Sequence, residues 1–258
     1  MTLKYKNTPI HFETFGKGSA IILLHGFLES SSMWTPLLPQ LSKHNLIITI
    51  DFPGHGKSGV ISEIHSMELM AKVVNETLKN LEIPQASFIG HSMGGYVASA
   101  YAELFPDKIN KLILLNSTPA ADSEERKIDR NRALKLIDKN SSAFISMAIT
   151  NLFAETSRQK FSEEMNLLKS EANSFPLEGI KAAIKGMRDR KDQTEVLKNL
   201  NKEKYSILSE KDPLLEIEKT KKLAESFNSR VITIGGGHHS TYENLNEVLK
   251  NLVLILEQ

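Results

Sequence analysis

Residues 86–102, ASFIGHSMGGYVASAYA, constrain the fold more tightly than any other stretch of the chain. Ala86-Ser87-Phe88-Ile89 reads as the end of a buried strand, and an apolar pattern with helical spacing begins at Tyr96 and runs towards Pro106. Between them stands Ser92, with Gly90 and Gly94 two places to either side and a further Gly95. G-x-S-x-G at a strand-to-helix turn is the sequence form of a nucleophile elbow. Small residues have a physical use there, because a turn sharp enough to push a Ser into a strained backbone region leaves no room for Cβ atoms packing beneath it.

The rest of the chain repeats the strand-then-helix order. Short apolar runs predict strands at Ile10–Thr14, Ala20–Leu24, Leu46–Ile50, Ser87–Ile89, Leu112–Leu115, Tyr205–Leu208 and Val231–Ile234. Most are β-branched or Leu-rich without polar alternation, as expected of strands buried on both faces. Apolar residues three or four apart predict helices over Met67–Leu81, Glu216–Phe227 and Asn246–Leu256. The alternation implies an α/β fold with a mostly parallel central sheet flanked by helices. It lapses from about Thr118 to Lys202, where several helix-like patterns follow one another around Pro119 and Pro176. The expected organisation is a core of 1–118 and 203–258 interrupted by an all-helical insertion over 119–202.

A chain of 258 residues, 40% hydrophobic and 24% charged, has the composition of an ordinary soluble domain with a large core. Its 32 basic and 31 acidic residues leave a net charge of +1, so neither nucleic acid nor an anionic membrane is expected as the main partner. The absence of Cys excludes disulfides, thiolate metal sites and Cys nucleophiles, and fits a cytoplasmic protein. Met1 to Ala20 carries Lys4, Lys6, His11, Glu13 and Lys17 and no apolar core, so no signal peptide is expected. The apolar runs at 21–24 and 252–256 are far too short to span a bilayer.

Polar groups recur where strands end: His25-Gly26-Phe27, then Asp51 with the loop FPGHGKSG, then Ser92, then Asp212 in SEKDP, then Gly237-His238. In that order these motifs resemble the α/β-hydrolase family, specifically its small esterase-like and lyase-like members with a helical cap. The resemblance covers nearly the whole chain and includes the Ser, Asp, His order expected of that fold. It implies a catalytic triad of Ser92 as nucleophile, His238 as base and Asp212 as the acid that orients the imidazole. It also implies an oxyanion hole formed by the backbone N–H groups of Phe27 and Met93. No cofactor or metal is implied, and the expected partner is a small-molecule substrate; monomer and dimer are equally compatible with the sequence.

Two assignments have competitors in the sequence. His239 adjoins His238, but the family's His follows a Gly and precedes an acidic residue by five positions, which matches Gly237, His238 and Glu243. Glu210 lies two places before Asp212 and is expected to face solvent. His25 is expected to orient the oxyanion loop, His55 to support the Gly-rich loop, His91 to line the elbow, and Asp51 to act as a strand-end hydrogen-bond acceptor. A phosphate-binding loop ending in Gly56-Lys57-Ser58 would need Gly at position 51, which is Asp51.

Substrate choice belongs to the inserted helices. Phe144, Met147 and Leu152 fall near one helical face, which either packs the insertion onto the core or lines an apolar acyl or ring pocket. In 179–197 the cations outnumber the anions, and that surplus either attracts a carboxylate substrate or is solvated helix surface. Arg190 and Asp192 are read as structural. The expected activity is hydrolysis of a small ester, thioester or lactone through an acyl-enzyme. The alternatives are C–C hydrolysis or elimination on an acidic metabolite with the same triad, and a catalytically silent binding module.

Overall fold

In the computed structural model, which describes residues 1–257, the apolar runs become strands β1 (Thr2–Tyr5), β2 (Thr8–Phe15), β3 (Ser19–Leu24), β4 (Asn45–Ile50), β5 (Ala86–His91), β6 (Ile109–Leu115), β7 (Glu203–Ser209) and β8 (Arg230–Ile234). They form one sheet in the order β1-β2-β4-β3-β5-β6-β7-β8. β1 with β2 and β2 with β4 pair antiparallel, and the remaining pairs are parallel. β1 was not expected, because only Leu3 of its four residues is buried and no apolar run marks it. β5 continues to His91, two residues past its expected end, so the strand delivers the chain directly into the turn at Ser92.

The helices are α1 (Leu38–Leu41), α2 (Met67–Asn80), α3 (Met93–Leu104), α4 (Glu124–Thr150), α5 (Ser162–Asn173), α6 (Leu177–Arg188), α7 (Thr194–Asn199), α8 (Ile217–Ser226), α9 (Ser240–Glu243) and α10 (Leu245–Leu256). Alternate residues of the central strands face opposite layers, as the two-residue period of a strand requires. Ile22 and Leu24 of β3 join the apolar cluster that includes Met70 and Val74 of α2 and Val97 of α3. Ile21 and Leu23 join the cluster on the other face with Leu41, Val248 and Leu252 from α1 and α10. With both faces covered, the parallel strands read as unbroken apolar runs in the sequence.

All four helices α4 to α7 lie between β6 and β7, with no strand among them. α4 is two helices joined at Asn140, whose backbone leaves the helical region (φ −159°, ψ 88°) while its side chain accepts the N–H of Ala143 at 3.0 Å and starts the second half. α6 docks on the loop after β4 by direct backbone contact: a Cβ added to Gly179 would lie 2.5 Å from the Cα of Gly54. Where this segment rejoins the sheet, Arg190 donates to the carbonyls of Ala120 and Met187 and to Asp122, and lies over the ring of Tyr96 at 3.9 Å. Asp192 accepts the N–H of Thr194 at 2.8 Å. Arg190 and Asp192 thus each tie backbone around the two crossings between segment and sheet. Among the described residues, no helix is long and apolar enough to cross a membrane.

Candidate active site

Ser92 sits between β5 and α3 with φ 50° and ψ −116°, a conformation L-residues rarely adopt. The turn survives because its neighbours have no side chains: a Cβ on Gly94 would overlap the carbonyl oxygen of Leu24. The backbone N–H of Ser92 is held by the carbonyl of Leu115 at 3.1 Å, and its carbonyl accepts the hydroxyl of Ser117 at 2.7 Å. Ser92 is thereby fixed at the mouth of the turn and lines a cavity of about 270 Å³.

His238 lines the same cavity, on the loop between β8 and α9. Its Nδ1 lies 2.7 Å from Oδ2 of Asp212, with both side chains 2% exposed. A carboxylate can only accept, so Nδ1 carries the proton and Nε2 is the basic nitrogen. Nε2 is buried and has no hydrogen-bond partner among the described residues. Burial tends to raise the Asp212 carboxyl, but the neighbouring imidazole of His238 and the N–H groups of Leu214 and Leu215 outweigh it and hold it below the ordinary carboxylate range. Glu210 is exposed, and His239 is fully buried and does not line the cavity.

The loop after β3 brings Phe27 to the same cavity. Leu28 there adopts φ 63° although it is 2% exposed, and among the described residues no carbonyl or side chain accepts the Phe27 N–H. The N–H of Met93 opens α3, where first-turn donors have no helical partner and the helix dipole is positive. His25 fixes this loop: its Nδ1 donates to the carbonyl of Gly26 at 2.7 Å and its Nε2 accepts the N–H of Phe52 at 2.9 Å. Burial holds His25 below the usual imidazole range against the nearby Asp51, consistent with that neutral tautomer. Asp51 accepts the N–H groups of Ser31 and Lys57, each at 2.8 Å, and His55 donates to the carbonyl of Pro53 at 3.2 Å.

Behind the site lies a polar network in which the sequence marked His91, as lining the elbow, and His239, as a competitor of His238, but neither Glu29 nor Asn116. Glu29, 1% exposed, accepts the N–H of Gly26 at 2.6 Å and pairs with Nδ1 of His91 at 3.0 Å. Burial tends to raise Glu29, but the imidazoles of His91 and His239 drive it far below the carboxylate range. Burial tends to lower His91, but Glu29 beside it pushes it above the imidazole range. His239 Nε2 lies 3.3 Å from the other oxygen of Glu29 without a hydrogen bond, and burial keeps it neutral, at about 4. Asn116, fully buried at the end of β6 with φ 46°, donates to the carbonyl of His238 at 2.8 Å and accepts the N–H of Ser209 at 2.8 Å. Asn116 obeys the rule that flagged His25 and Asp51, a polar residue closing an apolar strand. Nothing in the residue type of Glu29 marks it.

Phe144 and Met147 of α4 and Leu152 just beyond it line the cavity with Ser92 and His238, so this face borders the pocket while also burying Phe144 and Leu152. The cations of 179–197 do not reach it. Lys181 pairs with Asp138, Arg188 with Asp189, Arg190 with Asp122, and Lys191 with Glu68 and Glu103. The cavity's cations come instead from the first turns of α4, Arg126 and Arg130.

The family described as the alpha/beta hydrolase fold matches residues 19–245. A pimeloyl-[acyl-carrier protein] methyl ester esterase of Klebsiella pneumoniae (strain 342) is 36% identical over 111 residues, 43% of this chain and 41% of that protein. The chain thus matches less than half the length of such curated relatives. A thermophilic esterase from Thermogutta terrifontis, in a malate-bound structure, superposes with a TM-score of 0.94 at 27% identity over 100% of this chain and 98% of that one. The enol-lactonase of Burkholderia xenovorans LB400 shares the fold with a TM-score of 0.93 at 21% identity, over 100% of both chains. Family match, sheet order and superpositions agree, and the chain belongs to the alpha/beta hydrolase fold family.

Proposed function

We propose that the protein is a serine hydrolase that cleaves a small carboxylic ester, thioester or lactone through an acyl-enzyme on Ser92. The observation that carries this reading is the buried Asp212–His238 pair at 2.7 Å, which leaves an unpartnered basic Nε2 on the cavity lined by strained Ser92. His238 takes the proton of the Ser92 hydroxyl as the carbonyl carbon is attacked, and returns it to the departing alcohol, thiol or ring oxygen. Asp212 keeps the imidazole in the required tautomer and stabilises its charged form. The N–H groups of Phe27 and Met93 receive the oxyanion, a contribution of about 3 kcal/mol per donor. Water then attacks the acyl-enzyme with His238 again as base.

The helices between β6 and β7 serve in this reading as a cap over residues 119–202, roofing the pocket with Phe144, Met147 and Leu152. The esterase names of the relatives support ester hydrolysis over C–C hydrolysis or elimination. Labelling by a fluorophosphonate tests the nucleophile: the folded protein becomes labelled on Ser92, and Ser92→Ala abolishes both labelling and turnover of a short-chain ester. Absence of label on folded protein, or full activity in Ser92→Ala, overturns the reading. Mass spectrometry of a quenched turnover is expected to show an acyl adduct on Ser92.

A further inference from the structure

Three charged side chains of α4 line the cavity that holds Ser92 and His238, and two of them already have counter-ions. Nε of Arg130 donates to Asp122 at 3.1 Å, and Asp129 accepts from Arg132 at 2.9 Å. Arg126 is different. It is half-buried, and among the described residues its guanidinium makes no ion pair or side-chain hydrogen bond; only its backbone N–H is engaged, by the Ser123 hydroxyl, and Asp129 on the next turn is turned to Arg132. The remaining carboxylate on the cavity wall, Glu29, is held by Gly26 and His91.

The cavity that Arg126 shares with Ser92 is otherwise lined mainly by apolar side chains, among them Phe27, Phe144, Met147, Leu152, Ile184 and Met187. A guanidinium cannot shed its proton to relieve partial burial, so an uncompensated one is a standing preference for an anion. Its planar fork suits the two oxygens of a carboxylate. We infer that Arg126 is the anion-binding end of the pocket, so that the preferred substrate carries an apolar body with the scissile acyl group at one end and a carboxylate at the other. This substrate class rests on the hydrolase reading for its reaction, but the anion site does not.

The test compares mono(4-nitrophenyl) adipate with 4-nitrophenyl hexanoate, which match in acyl chain length and differ in the terminal carboxylate. kcat/KM for the adipate is expected to exceed that for the hexanoate by at least about tenfold, the scale of one hydrogen bond to a charged group. The ratio is expected to fall to about one in Arg126→Gln and to recover in part in Arg126→Lys, and to shrink as salt is raised. Because the ratio is taken within each variant, a change in folded fraction cancels. A wild-type ratio of one or less, or an unchanged ratio in Arg126→Gln, overturns the inference. Calorimetric titration of adipate into Ser92→Ala and into Ser92→Ala/Arg126→Gln reads the site without turnover. Binding that weakens about tenfold with loss of Arg126 supports it, and equal binding overturns it. If neither ester is cleaved and no fluorophosphonate label forms, the hydrolase reading fails while the titration still decides the anion site.

Discussion

Nε2 of His91 donates to the main-chain carbonyl of His238 at 2.9 Å, across 147 positions of sequence. Its other nitrogen is held by Glu29, which also accepts the N–H of Gly26, so one buried ion pair joins the loop before Phe27 to the loop that carries His238. Removing one partner of a buried pair strands the other charge, at about 3–5 kcal/mol. Glu29→Ala is expected to lose stability on that scale in urea melts. Displacement of either loop by an ångström lowers kcat by about a hundredfold, with little change in KM. Glu29→Gln, which can still accept from Gly26, is expected to fall between. Full stability and rate in Glu29→Ala would show that the network positions nothing.

Asp212→Asn keeps the shape of the acid but reverses which tautomer of His238 is favoured. A loss of about ten-thousandfold in kcat is expected with the fold intact by circular dichroism. A near-normal rate would mean the acid is misassigned, and Glu210 would be mutated next.

The pH dependence of stability follows from four buried imidazoles. Burial is the largest influence on His25, His55, His65 and His239 and holds each below the ordinary range, with His55 at about 3 and His65 and His239 at about 4. Below about pH 6.5 the unfolded chain protonates them while the folded chain does not, so unfolding takes up protons and stability falls as pH falls. Each contributes on the order of 1.4 kcal/mol per pH unit within its window. His91, raised by Glu29, has the opposite sign: its contribution is complete below about pH 6.5 and is lost as pH rises through its folded value. The urea midpoint is therefore expected to drop steeply from pH 7 to pH 4.5, and His55→Asn to flatten the slope by close to one proton. A midpoint constant over that range would contradict the burial of these rings as neutral groups.

Gly94→Ala places a methyl group against the carbonyl of Leu24 beneath the elbow. Overpacking of this kind costs about 1–3 kcal/mol. Because the strain falls on the turn carrying Ser92, fluorophosphonate labelling is expected to slow more than stability alone explains. Normal labelling kinetics would show that the elbow has slack the close contact does not suggest.

The sheet was legible wherever strands are buried on both faces, because unbroken runs such as IILL and LIITI have no other economical use. β1 was not, since an edge strand with one buried residue leaves no run to see. The sequence likewise displayed Ser92, Asp212 and His238, each set at a strand end among turn residues. Glu29 and Arg126 were hidden for a common reason: what sets each apart is its surroundings after folding, a buried imidazole for one and, among the described residues, no ion-pair partner for the other. Of the two readings of the charge surplus in 179–197, the structure favours helix surface: none of those cations lines the cavity, and Lys181, Arg190 and Lys191 pair with acids from elsewhere in the chain.

The backbone contact between Gly179 and Gly54 divides the pocket's roof into two parts with different evolutionary freedom. α6, seated with no side chain intervening, is bound to the core's geometry, and a methyl group at either position would lift the whole helix. α4 contains no Gly and is held instead through buried side chains, Ile137, Phe144, Ile145 and Ile149. Its pocket-facing positions 126 and 147 stand outside the buried core, whereas Phe144 between them is buried and packs its ring on Phe27. A lineage with this architecture would acquire new substrates by rewriting the exposed face of α4 while α6 stays the same, and a library confined to positions 126 and 147 samples the variation that the scaffold leaves open.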